Sequence, residues 1–167
     1  WIAQYEPQVF GKMHKCLLLS GYLTHRLTGQ FRDAVAAQVG YIPFDFRHQA
    51  WARSWDWKWH ALRVSRDQLP DLVPAGGILG HITAVTSAET GIPEGLPLLS
   101  AGADKACEVL GSGCLDPHMG ALSFGTTATI NTIRRNYVEV TPLLPPYPAP
   151  VPGHYCTEVQ TSRGFWM

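Results

Sequence analysis

The segment Ser100-Ala101-Gly102-Ala103-Asp104 constrains the chain more than any other. The apolar run from Leu96 to Ala101 reads as a buried strand, and Asp104 to Leu110 reads as a helix closed by Gly111 and Gly113. The acid therefore falls where a strand hands over to a helix, with only small residues before it. Open α/β sheets bind their ligands at this edge. A helix N-terminus favours negative charge, and a carboxylate there can accept a proton from a hydroxyl held within hydrogen-bond distance. On spacing alone, a helix cap is the plainer account of Asp104.

A second signal follows in Ser123-Phe124-Gly125-Thr126-Thr127-Ala128-Thr129. Ala121 to Phe124 and Ala128 to Ile133 read as strands around a tight Gly125-Thr126-Thr127 turn. Backbone N–H groups at such a turn can converge on a phosphate, with hydroxyls as further donors. An ordinary hairpin in a threonine-rich sheet fits equally well. Lys105, next to the acid, could contact phosphate or substrate, or stand solvated on the first helical turn.

The remaining elements are read from spacing and stop signals. Pro7 suits a first helical turn, and Val9, Met13, Cys16, Leu17, Leu23 and Leu27 continue helical spacing to a stop at Gly29. A second helix is expected from Asp33, as N-cap, through the alanines to Gly40. Ser54 is expected to cap a helix with Trp55, Trp59 and Leu62 on one face, the tryptophans acting as core or interface anchors. Ser65 with Gln68, and Thr86 with Glu89, have capping-box spacing, and Gly91 ends the second of these helices. Asp116-Pro117 is a turn, and the proline-rich stretch 142–152 reads as extended surface chain or a long loop.

Composition removes several classes of function. The formal net charge is zero, so no electrostatic case exists for nucleic acid or an anionic membrane. No apolar run approaches the roughly 20 residues that span a bilayer. Cys16, Cys107, Cys114 and Cys156 form no Cys-x-x-Cys pair, and the histidines are scattered, so no metal site is expected. Cys16 and Cys107 sit in apolar helical patterns and read as ordinary buried thiols, which fits a cytoplasmic setting. Charged residues make up 16% of the chain, below the usual figure of about 25%. With Trp1 at one end and Phe165-Trp166-Met167 at the other, the expectation is a piece of something larger.

Taken in order, the motifs resemble the FGGY carbohydrate kinases, which phosphorylate sugars and polyols with ATP. Tyr22-Leu23-Thr24-His25-Arg26-Leu27-Thr28-Gly29 looks like the family's helix ending in Leu-Thr-Gly, with Asp33 and Trp51 following. Leu69-Pro70, Gly80-His81-Ile82-Thr83 and Thr90-Gly91-Ile92-Pro93-Glu94-Gly95-Leu96-Pro97 resemble its approach to the catalytic strand. Gly102-Ala103-Asp104 stands where the family has Gly-Gly-Asp or Gly-x-Asp, whose aspartate is the catalytic base. Phe124-Gly125-Thr126-Thr127 stands where its second phosphate loop reads Gly-Thr-Ser/Thr/Gly.

The resemblance implies an α/β, actin-like ATPase (ribonuclease H-like) fold, present in part. Residues 1–114 would end the first lobe and residues 118–167 begin the second. It implies ATP and Mg2+, a small sugar or polyol as substrate, Asp104 as base, and Gly125, Thr126 and Thr127 as phosphate ligands. It leaves room for a homodimer of the full-length protein. The family's first phosphate loop, Asp-x-Gly-Thr, and its adenosine-binding glycines do not occur here, so the chain by itself is expected to be inactive. Lys105-Ala106-Cys107-Glu108 and the proline-rich stretch are not general family features and leave the sugar open. The competing readings are a non-catalytic, sugar- or nucleotide-binding regulatory relative and a module that docks partners through its prolines.

Overall fold

The computed structural model describes residues 1–39, 43–125 and 127–161. Helix α1 (Ile2–Tyr5) and helix α2 (Pro7–Phe10) are single turns, and α3 (Leu19–Thr28) follows after an extended stretch. The expected continuous helix is thus broken. Met13 and Cys16 are held by the turn at 65–68 instead, because Gln68 Nε2 donates to the Met13 carbonyl (3.1 Å) and Cys16 N donates to the Gln68 carbonyl (2.8 Å). Gly29 does end α3, in the left-handed region at φ 73°.

The buried face of α3 is not Leu23 and Leu27 but Gly21, Thr24 and Thr28; Leu23 is 48% exposed. Small residues are needed because the backbones approach closely. The threonine hydroxyls bond back to the Ser20 and Thr24 carbonyls, at 2.9 and 2.7 Å, which satisfies them without a partner across the interface.

The helix expected from Asp33 to Gly40 is overturned within the described residues, since Arg32–Ala34 is strand β1. Hairpin β2 (Phe44–Asp45) with β3 (Ala50–Trp51), the short helix α4 (Lys58–Ala61) and a 3-10 turn at Arg66–Gln68 lead to β4 (Asp71–Val73). β4 pairs parallel with β1, Arg32 opposite Asp71 and Ala34 opposite Val73. Tertiary pairing overrides the alanines' helical preference. Asp33 caps the preceding helix rather than one of its own. Leu18 has no side chain that can cap α3, and the Asp33 carboxylate accepts from Ser20 Oγ (3.0 Å) and from Ala34 N (2.8 Å), with a further bond from the Gly21 backbone.

α4 starts later than the expected helix at Ser54, and Trp55 is 75% exposed rather than an anchor. Trp59 is the anchor, its Nε1 donating to the Arg53 carbonyl at 2.9 Å. The capping box at Ser65 and Gln68 forms as expected. Val35, Phe44 and Leu69 make the first core, with Leu18, Trp51, Trp59 and Leu62 packed against it.

Strand β5 (Ile78–His81), helix α5 (Ala84–Thr90) and strand β6 (Pro97–Leu99) follow. Thr83, not Thr86, caps α5, accepting from Thr86 N at 3.2 Å, and Gly91 closes it. β6 pairs antiparallel with β5 as an outer strand, so the expected buried run is overturned: Leu99 is 57% exposed and only Ser100 is deeply buried.

Helix α6 (Asp104–Gly111) leads to a four-stranded antiparallel sheet of β7 (Ala121–Phe124), β8 (Ala128–Arg134), β9 (Tyr147–Pro148) and β10 (Tyr155–Thr161), in the order β7-β8-β10-β9. The proline-rich stretch therefore supplies an edge strand, where a proline's missing donor costs nothing. Its Pro148 and Ala149 are buried, and Ala149 joins Val109, Cys114, Ile133 and Cys156 in a second core.

Two stability predictions follow from these contacts. A Cβ added at Gly80 would lie 2.7 Å from Thr28 Cβ, and Thr28 cannot swing away because its hydroxyl is bonded. Gly80→Ala should therefore destabilise the protein by roughly 1–3 kcal/mol in denaturant titration. Burial raises the Asp33 pKa, against opposing hydrogen bonds from Gln38, Ser20, Ala34 and Gly21. A raised carboxylate pKa favours the folded state below the ordinary aspartate range, and that contribution is lost as pH rises through the folded value. Asp33→Asn should remove this pH dependence, so the variant's stability relative to wild type should improve between acidic and neutral pH. A difference that is flat with pH would contradict this assignment.

Candidate active site

The candidate site begins where β1 continues into Val35 and Ala36. Val35 N donates to the Val73 carbonyl (2.9 Å), and Ala36 forms a parallel bridge with Gly102. Ser100 joins the same edge, its Oγ donating to the Val73 carbonyl at 2.9 Å. Ala103 N then donates to the Ala36 carbonyl (2.9 Å), and the chain turns directly into α6. This is the strand-to-helix junction expected from the sequence.

Close approach is the reason for the small residues. A Cβ at Gly102 would meet Ala36 Cβ at 3.1 Å and Pro150 Cβ at 3.4 Å. The proline-rich stretch thus packs over the junction, a contact across nearly fifty residues that no local pattern signals.

Asp104 is the first residue of α6 and is exposed. Ala103 occupies the N-cap position and offers no side-chain acceptor. Asp104 Oδ1 accepts only from the next backbone amide, Lys105 N, at 2.7 Å, among the described bonds. The carboxylate therefore does not act as an ordinary N-cap, which would bind an amide two or three residues on. Its outer face is open. Cavities of about 580 and 1090 Å3 lie elsewhere, the first beside Arg134 and His154 and the second beside Phe10 and Met13.

The Gly125–Thr127 turn closes the β7–β8 hairpin, with Phe124 paired to Ala128. Gly125 N donates to the Thr127 carbonyl at 2.9 Å, so this amide is already engaged within the turn. Thr126 lies outside the described residues. Lys105, next to the acid, reaches β7 two residues before the turn: its Nζ donates to Glu108 Oε2 (2.6 Å) and to Ser123 Oγ (3.1 Å). Lys105 has its pKa raised by the bond to Glu108, opposed by desolvation, with Glu158 and Asp104 adding to the rise.

Behind the turn lies a polar network that the sequence did not announce. Tyr147 Oη reaches Glu158 Oε2 (3.2 Å) and Asn131 Oδ1 (3.4 Å), and Cys156 Sγ donates to it at 3.4 Å. Burial, then Cys156 and Glu158, push the Tyr147 hydroxyl far above its ordinary pKa, so it remains a donor. Asn131 Nδ2 donates to Thr129 Oγ1 at 3.1 Å, which holds β8 just beyond the turn.

Comparison with known proteins gives the family and the fold. Residues 1–111 match the FGGY family of carbohydrate kinases, N-terminal domain. An uncharacterized sugar kinase of Escherichia coli, YgcE, is 40% identical over 112 residues, covering 64% of this chain and 22% of its own. The xylulose kinase of the same organism is 28% identical over 139 residues, covering 83% of this chain and 28% of its own. The crystal structure of xylulose kinase from Rhodospirillum rubrum superposes with a TM-score of 0.85 at 25% identity, over 98% of this chain and 33% of that one. The chain thus spans between a fifth and a third of the length of these relatives. Its architecture is part of the actin-like α/β fold of these kinases. By the match over most of its length and by its fold, the chain belongs to the FGGY family of carbohydrate kinases.

Proposed function

We propose that this chain carries the base and one phosphate loop of an ATP-dependent kinase acting on a sugar or polyol hydroxyl. The observation that supports it best is the exposed Asp104 at the start of α6, linked through Lys105 and Ser123 to the Gly125–Thr127 turn. The sugar class follows from relatives named as sugar and xylulose kinases. In this reading residues 1–114 close one lobe and residues 118–167 open the other, and Asp104 faces the cleft between them.

Asp104 takes the proton of the substrate hydroxyl as that oxygen bonds to the γ-phosphorus of ATP. The bond from the γ-phosphorus to its bridging oxygen breaks, and ADP leaves with that electron pair. Most of the acceleration then comes from alignment and charge stabilisation. Gly125, Thr126 and Thr127 hold phosphate oxygens, the Gly125 amide doing so by sharing its proton with the Thr127 carbonyl, since three-centre bonds are common.

No group of three or more His, Cys, Asp or Glu converges on one point among the described residues. In this reading Mg2+ would be held chiefly by the nucleotide phosphates, as Mg2+ is commonly held by one or two carboxylates plus substrate oxygens. Bound there, it would neutralise phosphate charge. A cytoplasmic setting, where ATP is supplied, belongs to this reading. No helix of the described residues is long and apolar enough to cross a membrane. The substrate partner is a small sugar or polyol, and the zero net charge gives no electrostatic case for nucleic acid.

In the full-length protein Asp104→Asn should lower kcat by on the order of a hundredfold or more while the KM for sugar stays within a few-fold. Thermal stability should hold, because Asn also suits a helix start. Normal turnover by this variant would sink the assignment. Thr126→Ala should lower kcat by a smaller factor, since backbone donors remain, and should weaken nucleotide use. Steady-state kinetics with ATP varied against sugar separates the two.

A further inference from the structure

Lys105 stands in the first turn of α6, where a helix dipole disfavours a cation. Its partner Glu108 lies on the C-terminal side, the less favourable order for a helical ion pair. Helix formation therefore gives no reason for a lysine at this position. Its reach does. The ammonium leaves the helix surface to donate to Ser123 Oγ on β7, two residues before Gly125. The lysine side chain is 28% exposed against 60% for Glu108, so it is drawn inward between α6 and the sheet. The charges of Glu108, Glu158 and Asp104 each favour its charged form.

We infer that Lys105 is a positioning residue whose ammonium, bridging Glu108 and Ser123, ties α6 to β7 and so fixes Asp104 relative to the Gly125–Thr127 turn. This rests on the reading of Asp104 and the turn given above. Both of the ammonium's described bonds go to protein groups, and in this proposal it acts on the reaction through them. Ser123, eighteen residues away, is the receiving end of the tie.

Four variants of the full-length protein test this: Lys105→Met, Lys105→Arg, Ser123→Ala and the Lys105→Met/Ser123→Ala double variant. Displacing a reacting group by about 1 Å can cost on the order of a hundredfold in rate. Lys105→Met should lower kcat by about tenfold to a hundredfold while KM for ATP and for sugar changes less than about threefold. Ser123→Ala should lower kcat in the same direction, and the double variant should fall no further than Lys105→Met, because residues in contact are not additive. Lys105→Arg, which keeps a charged donor of similar reach, should retain most of the turnover. An unchanged kcat in Lys105→Met, additive losses, or a tenfold rise in KM for ATP at constant kcat would overturn the proposal; the last would mean direct phosphate contact. Asp104→Asn run in the same assay keeps the two readings apart. If it turns over normally, the site reading and the positioning role both fall. If it is impaired while the Lys105 and Ser123 losses add, only the tie falls. Melting temperatures of the same four proteins read the contact without turnover, and additive shifts would likewise overturn it.

Discussion

The contact between Ala36 and Gly102 is the constraint on which the rest of the site depends. It brings a strand from early in the chain against the residue two before Asp104, in parallel register, and a side chain on Gly102 would crowd Ala36. Ala36 is itself fully buried. A larger residue at either position would push the start of α6 away from β1, and Asp104 would move with it. The same close approach recurs where Gly80 meets Thr28 and where Gly21 meets Asp33. Close-packed contacts of this kind hold a helix start more firmly than a loop can, because packed interiors do not deform continuously.

A second set of contacts joins this framework to the antiparallel sheet. Val109 of α6 packs into the core built by Cys114, Ile133, Ala149 and Cys156. Pro150 covers Gly102, and Gln49 Nε2 donates to the His154 carbonyl at 2.9 Å. α6 therefore belongs to both halves, with its N-terminus at the parallel edge and its far side on the sheet. Partly exposed ion pairs such as Lys105–Glu108 add little stability. The bond that runs from α6 to β7 is the one from Lys105 Nζ to Ser123 Oγ, and it joins the two elements directly.

Signals confined to a few neighbouring residues were legible. Gly29 and Gly91 end their helices in the left-handed region, the Ser65–Gln68 capping box forms, α6 begins at Asp104, and β7 and β8 flank the Gly-Thr-Thr turn. Those features depend on φ preference and on hydrogen bonds a few residues apart. The misreadings share another cause. The alanines after Asp33 looked helical because no local pattern shows that β4, some forty residues on, will pair with them. Leu23 looked like a core residue because helical spacing does not reveal that α3 must approach its neighbours on glycine and threonine. The run at Leu96 looked buried because its apolarity says nothing about which side of β5 it will lie on.

The sequence by itself determined the chemistry on offer: a carboxylate after small residues at a helix start, a glycine-threonine turn between two strands, and the family to which their order belongs. Each follows from residue type and short spacing, which fix backbone preference and donor or acceptor character. Only the tertiary structure decided that Asp33 caps α3, that Pro150 closes over Gly102, and that Lys105 reaches Ser123. Such contacts join residues that are neighbours in space and not along the chain. Their partners are chosen by how the two cores pack, and no local preference encodes that choice.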